Sequence, residues 1–431
     1  MGVVTSPLAE IEASVQRRAQ EDALDVAGAT ATRRLRQLID EEVARWSADY
    51  RRGLRAHDLA DPEQVADRAY RNLAGYGPLE PLLADDDVWE IMLNAPDQIF
   101  VKRHTGRSGY HDEVFHDDEH VLRTLTKILD DAAAAHRKLD PSEGLQDAQL
   151  ETGARLHIVH RDVGRDGHLI VNIRKFTGVA LQRLDQLVAR DMLPAEVAAF
   201  LRASVRARLS TVFAGAPGSG KTTLLSCCAA ELDPSLRVVV AEEVFEADVP
   251  LPNVASMQTR AARSDRPAVD LRRLVAGFLR MAPDIAIVGE VRDREALPLL
   301  LALSYGVKGF TTIHAGSARQ ALSRLRFVCQ LADAAMNLPL SALNSLVAEA
   351  VDLVVHCARR DGVVRVTEIA AVEEPQADAE ATAFTLTSLF ERARWDAPLV
   401  WTGNVPVRAQ RALDEAGYDV RELLRAGGAR P

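Results

Sequence analysis

Between Gly215 and Thr222 the chain reads Gly-Ala-Pro-Gly-Ser-Gly-Lys-Thr, a complete GxxxxGK[ST] loop with an apolar strand pattern at 208–214 before it and an apolar helix pattern at 223–232 after it. Glycines in such a loop let successive backbone N–H groups converge on phosphate oxygens, and the helix N-terminus adds partial positive charge at the same point. The residue types and spacing therefore predict a nucleotide site built from Gly215, Ala216, Pro217, Gly218, Ser219, Gly220, Lys221, Thr222 and Thr223. Lys221 is expected to reach the β- and γ-phosphates of ATP, and the Thr222 hydroxyl to ligate Mg2+.

Hydrolysis needs more: a group that orients water and groups that neutralise charge on the γ-phosphoryl oxygens. Three apolar strand patterns end in suitable side chains. One closes on Glu242 and Glu243, with Glu246 just beyond; a second runs into Glu290; a third ends at His314. In a parallel α/β sheet, ligands gather at the carboxyl ends of the strands, so all three point to one cleft. Taken singly, paired carboxylates at a strand end are a solvated surface feature, and a lone histidine is a satisfied loop residue. Their agreement with a phosphate loop gives them chemical weight. Arg260, Arg272, Arg273, Arg280 and Arg292 are harder to weigh, because salt bridges on helix faces account for most such arginines. Their concentration around these strands suggests phosphate neutralisation, some of it across a subunit boundary.

The elements that must carry this site fit in 431 residues, enough for about three domains. With 52 Lys and Arg against 62 Asp and Glu, the net charge is −10, which lacks the field of a nucleic-acid coat and makes nucleic acid an improbable partner. The 47% apolar content excludes disorder, and no stretch approaches the ~20 apolar residues of a membrane span. Four cysteines, two of them adjacent, make neither a disulfide framework nor a CxxC zinc pair. His111, His116 and His120 sit among acids without a second ligand cluster and read as solvated histidines. Residues 1–69 form a helical extension, in which Leu35, Leu38, Ile39, Val43 and Trp46 recur at helical spacing. Residues 70–180 mix short strands with a helix near 118–135 and read as a smaller α+β domain. Residues 181–375 hold the phosphate loop, and 376–431 form an Ala- and Arg-rich C-terminal element to which no chemistry is assigned.

The combination of motifs resembles the type II/IV secretion ATPase superfamily, specifically the CpaF/TadA-type ATPases of tight-adherence (Flp) pilus systems. The carrying residues are Leu279-Arg280-Met281-Ala282-Pro283-Asp284 running into Val288-Gly289-Glu290-Val291-Arg292, where Gly289 replaces the usual Walker B aspartate, and Thr311-Thr312-Ile313-His314-Ala315, similar to the family's histidine box. Upstream, Gly77-Pro78-Leu79-Glu80-Pro81 and Glu90-Ile91-Met92-Leu93-Asn94 are similar to its N-terminal domain. Glu243 departs from the family's usual Asp.

That resemblance implies an α/β fold: a RecA-like P-loop motor domain preceded by a PAS-like α+β domain and a helical arm, assembled as a homo-hexamer. It assigns Glu242 to polarising water, Glu242, Glu243 and Glu246 to an acidic box, and Glu290 to supporting Mg2+ through water. His314 becomes the γ-phosphate sensor, Arg155 and Arg174 clamp the nucleotide, and Arg260 and Arg280 are arginine-finger candidates. The implied job is a cytoplasmic ATPase, peripheral to the inner face of the cytoplasmic membrane through a platform protein, that powers pilus assembly or type II-like secretion. Two alternatives stand beside it: a type IV secretion or conjugation traffic ATPase moving protein or DNA, and a non-motor nucleotide-dependent switch.

Overall fold

The computed structural model describes residues 6–22, 29–104, 106–131, 139–150, 153–175, 181–260, 262, 267–332, 338–374 and 383–425, and the chain divides into two units, residues 1–179 and 180–431. In the first unit, Ser6 caps helix α1 (Pro7–Glu21) by accepting the Ala9 amide, with Pro7 at the first helical position where a missing N–H costs nothing. Helix α2 (Ala29–Arg51) turns its Leu38, Ile39, Val43 and Trp46 stripe onto Leu8, Ile11 and Val15 of α1 and Ala69 of α3 (Pro62–Ala74). These helices thus own a small apolar core.

A second core lies beyond α4 (Leu79–Ala84), where strands β1 (Val88–Ala95), β2 (Gln98–Arg103) and β3 (Gly109–Tyr110), helix α5 (Asp118–Asp131), and strands β4 (Leu145–Gln149), β5 (Arg155–Val159) and β6 (Ile170–Arg174) build an antiparallel sheet in the order β3-β2-β1-β6-β5-β4. Side chains alternate along a strand, so Ile91, Leu93, Leu156, Ile158, Val171 and Ile173 share one face, and α5 covers it with Val121, Leu125, Ile128 and Leu129. His120 belongs to this packing rather than to solvent. It is buried against Phe115 and stacked on His116, and burial pushes its imidazole down to about 4. His116 in turn meets Glu12 of α1 at 2.9 Å.

The second unit runs through α6 (Leu184–Ala189), α7 (Ala195–Arg206), β7 (Thr211–Gly215), α8 (Lys221–Ala229), β8 (Val238–Glu242), β9 (Val254–Gln258), α9 (Leu271–Ala276), β10 (Ile285–Val288), α10 (Ala296–Ser304), β11 (Lys308–Ile313), α11 (Ala318–Ala332), α12 (Leu340–Ala350), β12 (Leu353–Arg360), β13 (Val363–Val372), β14 (Leu386–Glu391), β15 (Val400–Trp401), α13 (Val407–Glu415) and α14 (Val420–Arg425). Its nine-stranded sheet has the order β15-β14-β13-β12-β7-β11-β10-β8-β9, parallel from β12 to β9 and antiparallel from β12 to β15. The central strands are buried along their whole length, as a parallel sheet covered on both faces requires. Phe213, Val240 and Ile287 face a layer made of α6, α7, α8, α13 and α14, while Val212, Val239 and Val288 face α9 to α12. The fold is α/β, with N-terminal helices, an antiparallel sheet domain and a mixed RecA-like sheet.

The C-terminal stretch set apart at 376–431 is, in its described part, continuous with this sheet. Strands β14 and β15 extend it, and Ala409, Leu413, Val420 and Leu424 enter the same core as the phosphate-loop helix. Asp352 explains how α13 is held. One of its carboxylate oxygens accepts the Ser210 amide at 2.8 Å and Lys308 Nζ at 3.0 Å; the other accepts Arg408 Nη2 at 2.9 Å, and Arg408 also reaches the Ala348 and Val351 carbonyls. Removing one member of a buried charge set strands the others. Asp352→Ala is therefore expected to cost about 3–5 kcal/mol of unfolding free energy, read by urea titration of the full chain. A cost below about 1 kcal/mol would mean the cations are satisfied elsewhere.

Candidate active site

The four central strands β7, β11, β10 and β8 are neighbours, and parallel pairing brings Gly215, Ile313, Val288 and Glu242 to the same edge of the sheet. From that edge rise the residues singled out by chemistry. Gly220 caps α8 with φ of 82°, a left-handed conformation that a side chain resists, and a Cβ there would also lie 2.9 Å from Val364 Cγ1. Gly215, Ala216, Pro217, Gly218, Ser219, Lys221, Thr222 and Thr223 follow the expected strand-loop-helix path. Ser219 Oγ is buried inside the loop without a hydrogen-bond partner among the described residues. A hydroxyl kept dry and unpartnered beside these glycines suits a loop that wraps an oxyanion, so the residues present fit a phosphate group.

Lys221 Nζ donates to the Ala216 carbonyl at 2.9 Å and lies 3.3 Å from His314 Nδ1, which also sits 3.2 Å from the Gly215 carbonyl oxygen. The other ring nitrogen, Nε2, lies 2.8 Å from Glu290 Oε1. Glu290 Oε2 accepts from Arg292 Nη2 at 2.8 Å, and Arg292 Nη1 donates to Glu243 Oε2 at 2.6 Å. A continuous row thus joins the ends of β7, β11, β10 and β8. Burial pushes His314 below its ordinary value and the Lys221 charge pushes the same way, outweighing Glu290. Burial alone would raise the Glu290 carboxyl. The Arg292 hydrogen bond and the charges of Arg292, His314 and Lys221 outweigh it and hold the group below the usual glutamate value. At neutral pH His314 is therefore a neutral imidazole beside an ionised Glu290 and a guanidinium at Arg292.

Glu242 has a different setting. It is 2% exposed, and its Oε1 accepts the amides of Glu246 at 3.0 Å and Ala247 at 2.9 Å, shaping the acidic turn after β8. Its side chain lies over Gly289, where an added Cβ would meet Glu242 Cγ at 2.8 Å and Oε1 at 2.9 Å. Gly289 is tied down as well, its amide bonding Ala241 and its carbonyl accepting Thr312 Oγ1 at 2.7 Å. The absence of an aspartate at 289 is thus a packing requirement imposed by Glu242.

The arginines separate. Arg292 joins the row. Arg260 and Arg280 are exposed and hold no hydrogen bond or ion pair with it among the described residues; Arg260 pairs by its backbone with Val269 and gives Nη2 to the Pro267 carbonyl. Arg155 and Arg174 belong to the first unit, where they face each other across β5 and β6. Along the sequence Arg292 is one arginine among five, and its position two residues after Glu290 is the signal that sets it apart. Thr312 carried none, because its role depends on strand register.

Gly289→Ala forces Glu242 from its place without touching the phosphate loop. The expected result is a fall of about tenfold or more in kcat for ATP hydrolysis with nucleotide affinity unchanged within about twofold, read by steady-state kinetics and fluorescent-nucleotide titration. Wild-type kcat in this variant would show that the Glu242 position is irrelevant.

The sequence model of the family described as "Type II/IV secretion system protein" matches residues 72–385. A Mycobacterium tuberculosis protein named for conjugal transfer is 34% identical over 335 residues, covering 75% of this chain and 92% of that protein. The type IV secretion system protein PtlH of Bordetella pertussis is 31% identical over 308 residues, covering 66% of this chain and 89% of that one. Among solved structures, the VirB11 ATPase of the Brucella suis type IV secretion system is 26% identical, covering 68% of this chain and 94% of that chain with a TM-score of 0.36. The family match spans the antiparallel sheet, the phosphate loop and every member of the charged row, so the chain belongs to the type II/IV secretion system protein family, as one of its ATPases.

Proposed function

We propose that this ATPase drives macromolecular traffic through a type IV secretion or conjugation-type machine. The observation that carries the reading is the row from Lys221 through His314 and Glu290 to Arg292, which links the phosphate loop to a carboxylate kept ionised at the next strand ends. In this reading Lys221 leaves the Ala216 carbonyl for the β- and γ-phosphates when ATP binds. His314, neutral and shared between Lys221 and Glu290, senses whether the γ-phosphate is there. Glu290 orients the attacking water, and Glu242 shapes the turn that carries Glu243 and Glu246. Thr222 and Glu290 would hold Mg2+, the latter through water, and the ion would supply charge neutralisation on the phosphates. Arg155 and Arg174 would clamp nucleotide from the first unit, and exposed Arg260 and Arg280 suit donation across a subunit boundary in a homo-hexamer.

The relatives named for conjugal transfer and type IV secretion support traffic ahead of the tight-adherence pilus reading. The net charge of −10 supports a protein cargo over a bare nucleic acid. No helix among the described residues is long and apolar enough to cross a membrane, so a cytoplasmic ring would meet the bilayer through a platform protein.

The test is genetic and biochemical together. A strain carrying Lys221→Ala is expected to lose export of its type IV substrates, and the purified variant to lose ATP turnover. Loss of surface pili with export intact would assign the chain to pilus assembly instead. The pH profile follows from the two depressed groups. Protonating either removes the working state, and both titrate below their ordinary values, so kcat is expected to stay flat from neutral pH down to 6.5, the ordinary histidine value, and to fall only below it. An acid limb centred above 6.5 would contradict a neutral His314.

A further inference from the structure

His314 rides on the short turn between β11 and α11, which contains Gly316 and is shaped locally by the Gly316 amide on Gln320 Oε1 and the Gln320 amide on Ser317 Oγ. Those bonds set the shape of the turn but not its place against the sheet. Two residues of the β12–β13 hairpin supply that. Glu368 Oε2 accepts the Ala318 amide at 3.0 Å, and the ring of His356, beside Glu368 in the sheet, interacts with the Ala315 backbone. His356 and Glu368 are themselves cross-strand partners, and His356 pairs on its other side with Ala214 in the strand that feeds the phosphate loop. The turn is therefore held by two neighbouring residues from a single rung of the sheet.

The chemistry of the ring is consistent with a fixed grip. Burial pushes His356 below its ordinary value, with the Lys221 charge in the same direction, so the imidazole is neutral at pH 7 and has one donor and one acceptor nitrogen. Its Nδ1 lies 2.6 Å from Thr367 Oγ1, and that hydroxyl also donates to the His356 carbonyl at 3.3 Å. That threonine lies on β13, the same strand that carries Glu368.

We propose that His356 and Glu368 are positioning residues for ATP hydrolysis, holding the 314–318 turn so that His314 stays between Lys221 and Glu290. Neither residue contacts that row directly through a hydrogen bond among the described residues. Both act on the backbone on either side of it. The inference rests on the role given to His314 above.

The experiment uses the full-length chain and four variants, His356→Ala, His356→Gln, Glu368→Ala and Glu368→Gln, each also checked for unchanged thermal unfolding and oligomer size. The alanine variants are expected to lose about tenfold to a hundredfold in kcat while the affinity for a fluorescent ADP stays within about twofold. The glutamine variants, which keep a donor at 356 and an acceptor at 368, are expected to recover most of the loss. In a His314→Ala background, His356→Ala should lower kcat no further, because residues that act through one another are not additive. Wild-type kcat in the alanine variants, glutamine variants as slow as the alanine ones, or a further fall in the His314→Ala background would each overturn the proposal. Lack of Lys221-dependent turnover in the wild-type chain would overturn the ATPase role of the row together with it, which the Lys221→Ala control distinguishes.

Discussion

Glu290 is half-buried, and burial works against its charge; Arg292 at 2.8 Å restores the balance and keeps the carboxylate ionised. The rest of the site depends on that compensation. Because Arg292 is also bound to Glu243, and Lys221 stands behind His314, the row alternates in sign and comes close to neutral: two cations, two carboxylates and one uncharged imidazole. A neutral row has little net charge to set against the several negative charges of a triphosphate. Neutralising a bound triphosphate therefore calls for positive charge beyond this row.

Position comes from the parallel sheet. Four adjacent strands bring their carboxyl ends to one edge, and the spacing of strands of about 4.8 Å sets the spacing of the groups that follow them. Within that frame Gly289 and Glu242 form one feature. The carboxylate anchors the amides of Glu246 and Ala247 from a buried position, and the missing side chain at 289 is what admits it. The three buried thiols Cys227, Cys228 and Cys357, the last paired across the sheet with Gly215, are pushed up by burial, Cys227 and Cys357 to about 12, so they fill the core beside the loop without thiolate chemistry.

What was legible in the sequence was whatever lies close along the chain. The phosphate loop is eight consecutive residues between a strand and a helix, and the stripe from Leu35 to Trp46 lies on one helix; both patterns are local, and both appear in the structure. The strand-end carboxylates and His314 could be guessed because parallel strands share a chemical edge. The settings of Glu242, Thr312 and His356 could not, since each is fixed by which strand lies beside it and by register, neither of which a single strand's residues encode. His120 misled for a related reason: its surrounding acids look solvated along the chain, while α5 turns that one position inward.

The family match ends at residue 385, one residue before β14 begins, yet the sheet does not end there. An antiparallel β13 with nothing beyond it would offer a row of unpaired amides and carbonyls. Strand β14 covers that edge, the two-residue β15 leaves too short a template for further pairing, and α13 and α14 bury Leu413 and Leu424 against the layer that holds α8. The Arg392 amide bonds the Thr367 carbonyl, beside the hydroxyl that reaches His356. The described C-terminal part is therefore joined by backbone hydrogen bonds to β13, the strand that carries Glu368.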